Sequence, residues 1–554
     1  MAAKDPDWWK KTVIYQVYPR SFQDGSGNGT GDLQGERFVT TQQVAFEDRL
    51  AKLILITGIE SKLDYIKNLG VGAVWLSPIY KSPMKDFGYD IENFRDIDPI
   101  FGTMDDFHSL SKAMKERGLK LVLDFVPNHS SDQHTWFQKS IKKEEPYTDY
   151  YVWVDAKGFD EEKKPLPPNN WRSVFCGSAW EWNEERKQFY LHQFLKQQPD
   201  LNFRNPHVLK EMKDILQFWL DQGVDGFRID AAAHLFEDEL LRDEPIDNDE
   251  PGEYQQLDHI YTYNLPEVLD VLREFRILLD ENSKNDTKVM MVEAYLPVEK
   301  VMSYYGNKSI PIAHFPFNFE FISSLKENAT ASEVYDIIKT WTDYLPDGAW
   351  SNWVTGNHDN PRVATKFGSK LVDAINMITM LLPGTPVTYY GEEIGMENTE
   401  ISYNNTKDPY GINSGPKHYK LFSRDPERTP MQWSAGKNAG FSTANETWLP
   451  VNSNYKTLNV EAQLDAEWSH LKVYKMLVAT RKMEAVMTGD LQLQLLKNRV
   501  LVYTRIKEGF PAYMVVTNFS DDVVTVDLTT IDHIPDSSSI HIFSTTYAPY
   551  FNFK

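Results

Sequence analysis

A chain of 554 residues exceeds what one hydrophobic core holds, so one large domain with one or two smaller ones is expected. Hydrophobic residues make up 41% and charged residues 25%, an ordinary globular balance, while 80 Asp plus Glu against 58 Lys plus Arg give a formal charge of −22. That field repels polyanions, which excludes nucleic acid as a partner and favours a small neutral substrate.

The aromatic content suits sugar faces and large cores alike, and core packing is the better reading on composition alone. The single cysteine, Cys176, forbids an internal disulfide, which by itself favours a reducing compartment. Against it, Asn-x-Ser/Thr triplets begin at Asn285, Asn307, Asn328, Asn404, Asn445 and Asn518. Together they lean towards a secreted protein, or one associated with a gut membrane, over a cytoplasmic one. Met1–Trp9 has no apolar signal core, so a secretory leader is expected to be missing from this sequence. No run, including those around Leu53–Ile56 and Ile378–Pro383, reaches the roughly 18 apolar residues that span a bilayer.

Thr12–Val17 reads as the first strand. The loop after it, Asp24-Gly-Ser-Gly-Asn-Gly-Thr-Gly-Asp32, alternates oxygen-bearing residues with glycine. Asp24, Ser26, Asn28, the Thr30 carbonyl and Asp32 suit one hard cation at a spacing like that of an EF-hand, although Gly35 stands where its bidentate glutamate would be. A flexible glycine-rich turn is the alternative. Ile59, Leu63, Ile66 and Leu69 then recur at helical spacing, with Gly70 as a C-terminal cap. Apolar strands follow at Val71–Leu76 and Leu119–Val126, separated by a helical pattern ending near Gly118. The same rhythm returns at Val224–Ile229, Val289–Val292, Ala349–Val354 and Pro386–Tyr390. Strands apolar throughout belong to parallel sheets buried on both faces, and the alternation predicts a (β/α)8 TIM barrel.

The barrel is expected over residues 1–127 and 201–485, interrupted by an inserted subdomain over 128–200 that is rich in Trp, Pro, Lys and Glu. Phe236–Tyr254 is acidic, with two prolines, and reads as a solvated surface loop. Residues 486–554 are expected to form a C-terminal antiparallel β-sandwich, from short strands at Val500–Arg505, Tyr513–Thr517, Val523–Leu528 and Ile540–Phe543.

In a parallel barrel, chemistry collects past the C-terminal ends of the strands. There stand Asn128 and His129, Asp230, Glu293, and His358 with Asp359. Each acid taken singly is best read as an exposed loop carboxylate. Three of them converging at one mouth, with two histidines and an arginine, suit glycosidic cleavage. One carboxylate attacks the anomeric carbon, and a protonated one donates to the leaving oxygen and then activates water. Arg228, two residues before Asp230 on a strand, faces the same way and is placed to hold that carboxylate ionised.

The chain resembles the α-amylase superfamily, the family 13 glycoside hydrolases, on the branch of oligo-1,6-glucosidases and insect maltases. The motifs that carry this are Asp124-Phe-Val-Pro-Asn-His129, Gln198-Pro-Asp-Leu-Asn202, Gly226-Phe-Arg-Ile-Asp230, Val292-Glu-Ala-Tyr295, Gly356-Asn-His-Asp-Asn-Pro-Arg362, Gly391-Glu-Glu-Ile-Gly395 and Arg428-Thr-Pro-Met-Gln-Trp433. His314-Phe-Pro-Phe-Asn-Phe319 resembles the insect maltases in particular, and the likeness runs from about Trp8 to the end.

The resemblance implies a retaining exo-α-glucosidase that releases glucose from the non-reducing end of maltose, sucrose and malto-oligosaccharides. Asp230 is the implied nucleophile, Glu293 the acid/base, and Asp359 the carboxylate that binds sugar hydroxyls. His129 and His358 are implied to contact the same ring, Arg228 to orient Asp230, and Asp124 to stand behind the site. In Asp86-Phe-Gly-Tyr89, Tyr89 is implied to stack under the terminal glucose, and Asp86 to pair with Arg428 at a closed end of the pocket. The resemblance also favours structural calcium in the 24–32 loop, leaves the Asn28 triplet unglycosylated, and implies no organic cofactor. Ala231 goes with α-1,4 preference, where a valine goes with α-1,6. Glu36–Gly58 departs from the pattern by intervening before the first barrel helix. Three alternatives remain open: a sucrose-specific enzyme with little maltase activity, an endo-acting amylase, and a non-enzymatic receptor or transporter heavy subunit.

Overall fold

The computed structural model describes residues 5–33, 36–38, 54–56, 58–247, 254–284, 286–528 and 531. Eight parallel strands form the core: β1 Ile14–Val17, β2 Ala73–Leu76, β3 Lys120–Phe125, β4 Gly226–Ile229, β5 Val289–Val292, β6 Phe315–Pro316, β7 Asn352–Val354 and β8 Thr385–Tyr389. They pair in sequence, and β1 closes on β8. Among the described residues no ladder joins β6 to β7. There the Asn352 side chain bridges instead: its Nδ2 donates to the Pro316 carbonyl at 2.6 Å, and its Oδ1 accepts from Asn318 N–H at 2.8 Å. Nearly every barrel-strand residue is buried, as expected of strands covered on both faces. Gly226 opens β4 because a Cβ there would lie 2.3 Å from a Val289 methyl on β5.

The helices pack outside. They are α1 Leu63–Leu69, α2 Met104–Glu116, α3 Pro206–Asp221, α4 Val268–Asn282, α5 Ala331–Tyr344, α6 Val372–Leu381 and α7 His470–Arg481. Local sequence sets their ends. Thr103 with Asp106, and Thr330 with Glu333, form capping boxes at α2 and α5. Pro206 follows the Asn205 cap of α3, and Gly70 ends α1 in the left-handed region at φ 90°. Helix α6 is buried on every side, because α7 and the C-terminal sheet cover it.

The insertion after β3 contains a short helix, Thr135–Ile141, and a three-stranded antiparallel sheet of Trp153–Val154, Trp180–Asn183 and Gln188–Leu191. Beyond α7 and a short helix, β9 Asp490–Leu496, β10 Val500–Ile506 and β11 Tyr513–Asn518 form one antiparallel sheet. Val523–Leu528 is not a strand, although Val524, Val526 and Leu528 pack on that sheet as expected of its apolar positions. Ile540–Phe543 lies outside the described residues, so one layer of the expected sandwich is described. In the 36–58 segment, Glu36–Phe38 pairs antiparallel with Ile54–Ile56, and residues 39–53 and 57 lie outside the described residues.

The acidic loop departs from its expectation as a solvated stretch. Glu244 is buried, and its backbone N–H and carbonyl both bond the Asn170 side chain at 2.8 Å. The Arg242 carbonyl accepts from Trp171 Nε1 at 2.8 Å. The loop therefore docks on the inserted subdomain through its backbone and through Asp243, which accepts from Asn170 N–H at 3.0 Å, while the Glu244 carboxylate accepts from Tyr261 N–H and the Thr262 hydroxyl. Residues 248–253 lie outside the described residues.

Candidate active site

Residues from β1, β2, β3, β4, β5 and β7 meet at the C-terminal mouth of the barrel. Register begins the assembly: Arg228 on β4 pairs with Asp124 on β3, and the ladder continues through Asp230 N–H to the Phe125 carbonyl and Glu293 N–H to the Ile229 carbonyl, at 2.8 and 2.9 Å. Arg228 is 1% exposed and touches three carboxylates. Its Nη1 bonds Asp124 at 2.9 Å and also Asp230, and its Nη2 bonds Glu293 Oε1 at 2.7 Å. Glu293 Oε2 accepts from Ala231 N–H at 2.8 Å. The side chains of Asp230 and Glu293 each expose 11% of their surface, so both are open to a ligand yet largely desolvated.

Burial pushes the Asp230 carboxyl well above its usual range; Arg228 opposes this, while Glu293, Asp124 and Asp359 add to it. Asp124 is likewise pushed up to about 6 by burial against the pull of Arg228. Arg228 thus contacts Asp230 as expected and opposes the effect of burial on its carboxyl, while the neighbouring acids add to that effect.

Asp359 behaves differently. Burial pushes its carboxyl up, but neighbouring positive charge holds it below the usual range. That charge is set by His358, 3.3 Å from Asp359 Oδ2, Arg428, 2.6 Å from Oδ1, and Arg424, 3.4 Å from Oδ1, although burial disfavours the protonated form of His358. This geometry overturns the expected Asp86–Arg428 pair. Asp86 Oδ1 bonds Arg424 Nη2 at 2.8 Å, whereas Arg428, fully buried, bonds Asp359 and the His358 carbonyl. Arg424 stands four residues before Arg428 and just ahead of its motif, and sequence spacing alone does not choose between two arginines one helical turn apart.

Tyr89 lies parallel to the His358 ring, 5.4 Å between centroids, with its hydroxyl 2.5 Å from His358 Nε2. On the other side, Gln16 on β1 meets His358 Nδ1 at 2.9 Å. His129 is 2% exposed, and its Nε2 lies 3.0 Å from Gln198 Nε2, which also donates to Asp86 Oδ2 at 3.1 Å. Gln198 thus ties His129 to Asp86. It and Gln16 were not singled out by sequence, although Gln198 opens a quoted motif. Burial lowers His129 to about 3, so it is neutral at working pH. Asp124 accepts from Trp75 and Tyr89 as well as Arg228, and it stands behind the site as expected.

The 24–32 loop curls round its own carboxylates. Asp24 accepts from Gly27 N–H at 2.7 Å, Gly29 N–H at 2.8 Å and the Ser442 hydroxyl at 2.5 Å. Asp32 accepts from Gly25 and Ser26 N–H, and Ser26 Oγ lies 3.2 Å from Asp24 Oδ1. Burial, with the charge of Asp24 adding, raises Asp32 to about 6. Among the described residues no group of three or more His, Cys, Asp or Glu gathers as a metal cluster, and this loop brings two carboxylates together with neutral oxygens.

Comparison with known proteins shows the family. The family model "Alpha amylase, catalytic domain" matches residues 16–490. The chain is 47% identical to Maltase 1 of Drosophila virilis, covering 96% of this chain and 81% of that protein. It is 46% identical to the salivary alpha-glucosidase of Aedes aegypti, covering 95% and 88%. It is also 41% identical to the human amino acid transporter heavy chain SLC3A1, covering 95% of this chain and 72% of that one. Among solved structures, the alpha-glucosyl transfer enzyme XgtA superposes with a TM-score of 0.82 at 35% identity, covering 94% of this chain and 92% of that one. With a matching catalytic-domain model over most of its length, a TIM barrel and carboxylates gathered at the barrel mouth, this chain belongs to the α-amylase family of glycoside hydrolases.

Proposed function

We propose that the protein is a retaining exo-acting α-glucosidase that cleaves short α-glucosides such as maltose and sucrose from their non-reducing ends. Asp230 attacks the anomeric carbon while Glu293 gives its proton to the leaving oxygen, forming a glucosyl-enzyme ester. Glu293 then takes a proton from water, whose oxygen attacks the same carbon and frees Asp230. Asp359, His129 and His358 hold hydroxyls of the ring, and Asp359 stabilises the positive charge of the transition state.

The observation that carries this reading is the single Arg228 guanidinium spanning Asp230 and Glu293. Two carboxyls on one guanidinium suit the close spacing of retaining enzymes, about 5–5.5 Å, better than the wider gap that admits water in inverting ones. The Asp86–Arg424 pair favours exo action, since a closed pocket end admits a chain terminus and not a chain middle. The relatives named maltase and alpha-glucosidase support the substrate class. Product analysis of maltose, sucrose, isomaltose and starch digests tests it: glucose should come from maltose and sucrose, and internal cleavage of starch would remove the exo assignment. Parallel rates on sucrose and maltose separate a broad enzyme from a sucrose-specific one.

The likeness to SLC3A1 gives the second reading, a non-enzymatic subunit. One feature argues against it: Asp230, Glu293 and Asp359 are all present at one mouth. Failure to hydrolyse any α-glucoside would favour that reading.

Secretion is proposed from the salivary relatives and from the sequons. Asn307, Asn328, Asn404, Asn445 and Asn518 are all exposed, as glycan acceptors must be; Asn285 lies outside the described residues. Calcium is proposed at Asp24, Ser26, Asn28, Thr30 and Asp32. The donors are all oxygens, and a cation beside Asp24 and Asp32 would relieve the repulsion between two buried carboxylates. Its role would be structural, holding the loop against Ser442 and Trp448, whose N–H donates to the Gly29 carbonyl at 2.9 Å.

A further inference from the structure

We propose that Asp408 is a positioning residue for chain-end recognition: it fixes Arg424 against Asp86, and thereby sets how strongly the pocket selects a free non-reducing end. This rests on the exo reading given above.

Arg424 is shared unequally among three acids. Asp86 and Asp359 each receive one contact, at 2.8 and 3.4 Å. Asp408 receives most of the rest. Its Oδ1 accepts from Arg424 Nη2 at 2.6 Å, both its oxygens lie within 3.2 Å of Nε, and its Oδ2 accepts from the Arg424 backbone N–H at 2.7 Å. A carboxylate that grips both the stem nitrogen and the backbone of one arginine fixes the direction of the fork and not merely its charge. The face of the guanidinium is covered as well, because its carbon lies 4.7 Å from the centre of the Phe175 ring.

Asp408 is itself held from behind. Its N–H donates to Asp425 Oδ2 at 3.0 Å, and its Oδ1 caps the helix Pro409–Asn413. That helix leans on the inserted subdomain, with Tyr410 5.1 Å from the Phe175 ring and Asn413 Nδ2 donating to the Phe175 carbonyl at 3.0 Å. The Asp408 side chain is fully buried, so it acts on a sugar only through Arg424. Arg424 opposes the effect of burial and keeps Asp408 below the usual carboxylate range, so the anchor is charged throughout the working pH range. Without it, Arg424 would be drawn by Asp359 and Asp86 alone, and its two contacts would no longer have a fixed geometry.

The test compares wild type, Asp408→Asn, Arg424→Ala and the double variant on maltose and on maltose lacking the 4-hydroxyl of its non-reducing glucose. Asp408→Asn keeps the shape and removes the charge. The ratio of kcat/KM for the two substrates does not depend on the fraction of enzyme that folds, so a poorly folding variant still gives a reading. Wild type should prefer maltose; Asp408→Asn should reduce that preference about tenfold, chiefly through KM, and Arg424→Ala should reduce it at least as much. Because Asp408 acts through Arg424, the double variant should be no worse than Arg424→Ala alone. An unchanged ratio in Asp408→Asn, or losses that multiply in the double variant, would overturn the proposal. Failure of the exo reading is seen separately, as internal cleavage of maltopentaose by the wild type.

Discussion

The backbone N–H of Ala231 donates to Glu293 Oε2 at 2.8 Å, while Arg228, three residues earlier, holds the other oxygen of the same carboxylate. A single short segment, with Asp230 inside it, therefore sets the distance between the two acids that face the substrate. Ala231 reaches this position in the left-handed region, at φ 45°.

Valine at position 231 tests that segment. A β-branched residue at positive φ is strained by about 1–3 kcal/mol, and the strain falls on the N–H that orients Glu293. Ala231→Val should lower stability and reduce kcat/KM on maltose relative to isomaltose, in line with the linkage preference implied by the family. Ala231→Gly should keep the maltose preference. Rates on the two disaccharides and a melting curve check both, and an unchanged ratio in the valine variant would separate this residue from linkage choice.

Replacing either acid should stop turnover without unfolding the protein. Asp230→Asn and Glu293→Gln are each expected to lower kcat about 1000-fold or more. Their melting temperatures should stay level or rise, because the cluster has three carboxylates on one guanidinium. The wild-type rate should be bell-shaped in pH, needing one protonated and one ionised carboxyl. A profile with a single limb would remove the pairing.

Asp200 offers a separate pH test. It is 2% exposed, accepts from Gln193 and Asn128, and is raised by burial to about 8. An unfolded aspartate titrates near about 3.9. A folded value above the unfolded one gives stability that is fully present below about pH 4 and is lost as pH rises towards 8. Asp200→Asn, which cannot ionise, should flatten the decline of melting temperature across that window. Parallel curves for the two proteins would show that Asp200 is ionised in the fold.

Calcium should raise the melting temperature, and a chelator should lower it. Because Asp32 is raised to about 6 and a cation needs the ionised form, the stabilisation should be larger at pH 7.5 than at pH 5. Asp24→Asn should abolish the difference. A chelator-insensitive melting temperature at both pH values would leave the loop as a glycine-rich turn.

Most of the barrel was legible because its strands are buried on both faces and so read as unbroken apolar runs. The exception is β6: Phe315–Pro316 is too short to register as a run, and it appears in the sequence only inside a family motif. Val523–Leu528 alternates like a strand, yet only its apolar positions pack and its backbone stays irregular. The acidic loop misled for a related reason. Charge predicts solvation unless partners are waiting, and Tyr261 N–H and the Thr262 hydroxyl supply them to the Glu244 carboxylate.

The order of residues by itself determined the architecture and which acids end which strands, since apolar periodicity and strand-end position are local properties. Only the tertiary structure decided who partners whom. Arg424 rather than Arg428 meets Asp86, Gln198 links Asp86 to His129, and Arg228 is shared by three acids instead of serving one. Such pairings join residues far apart in the chain, and a buried charge takes whichever opposite charge the packing brings within hydrogen-bond reach.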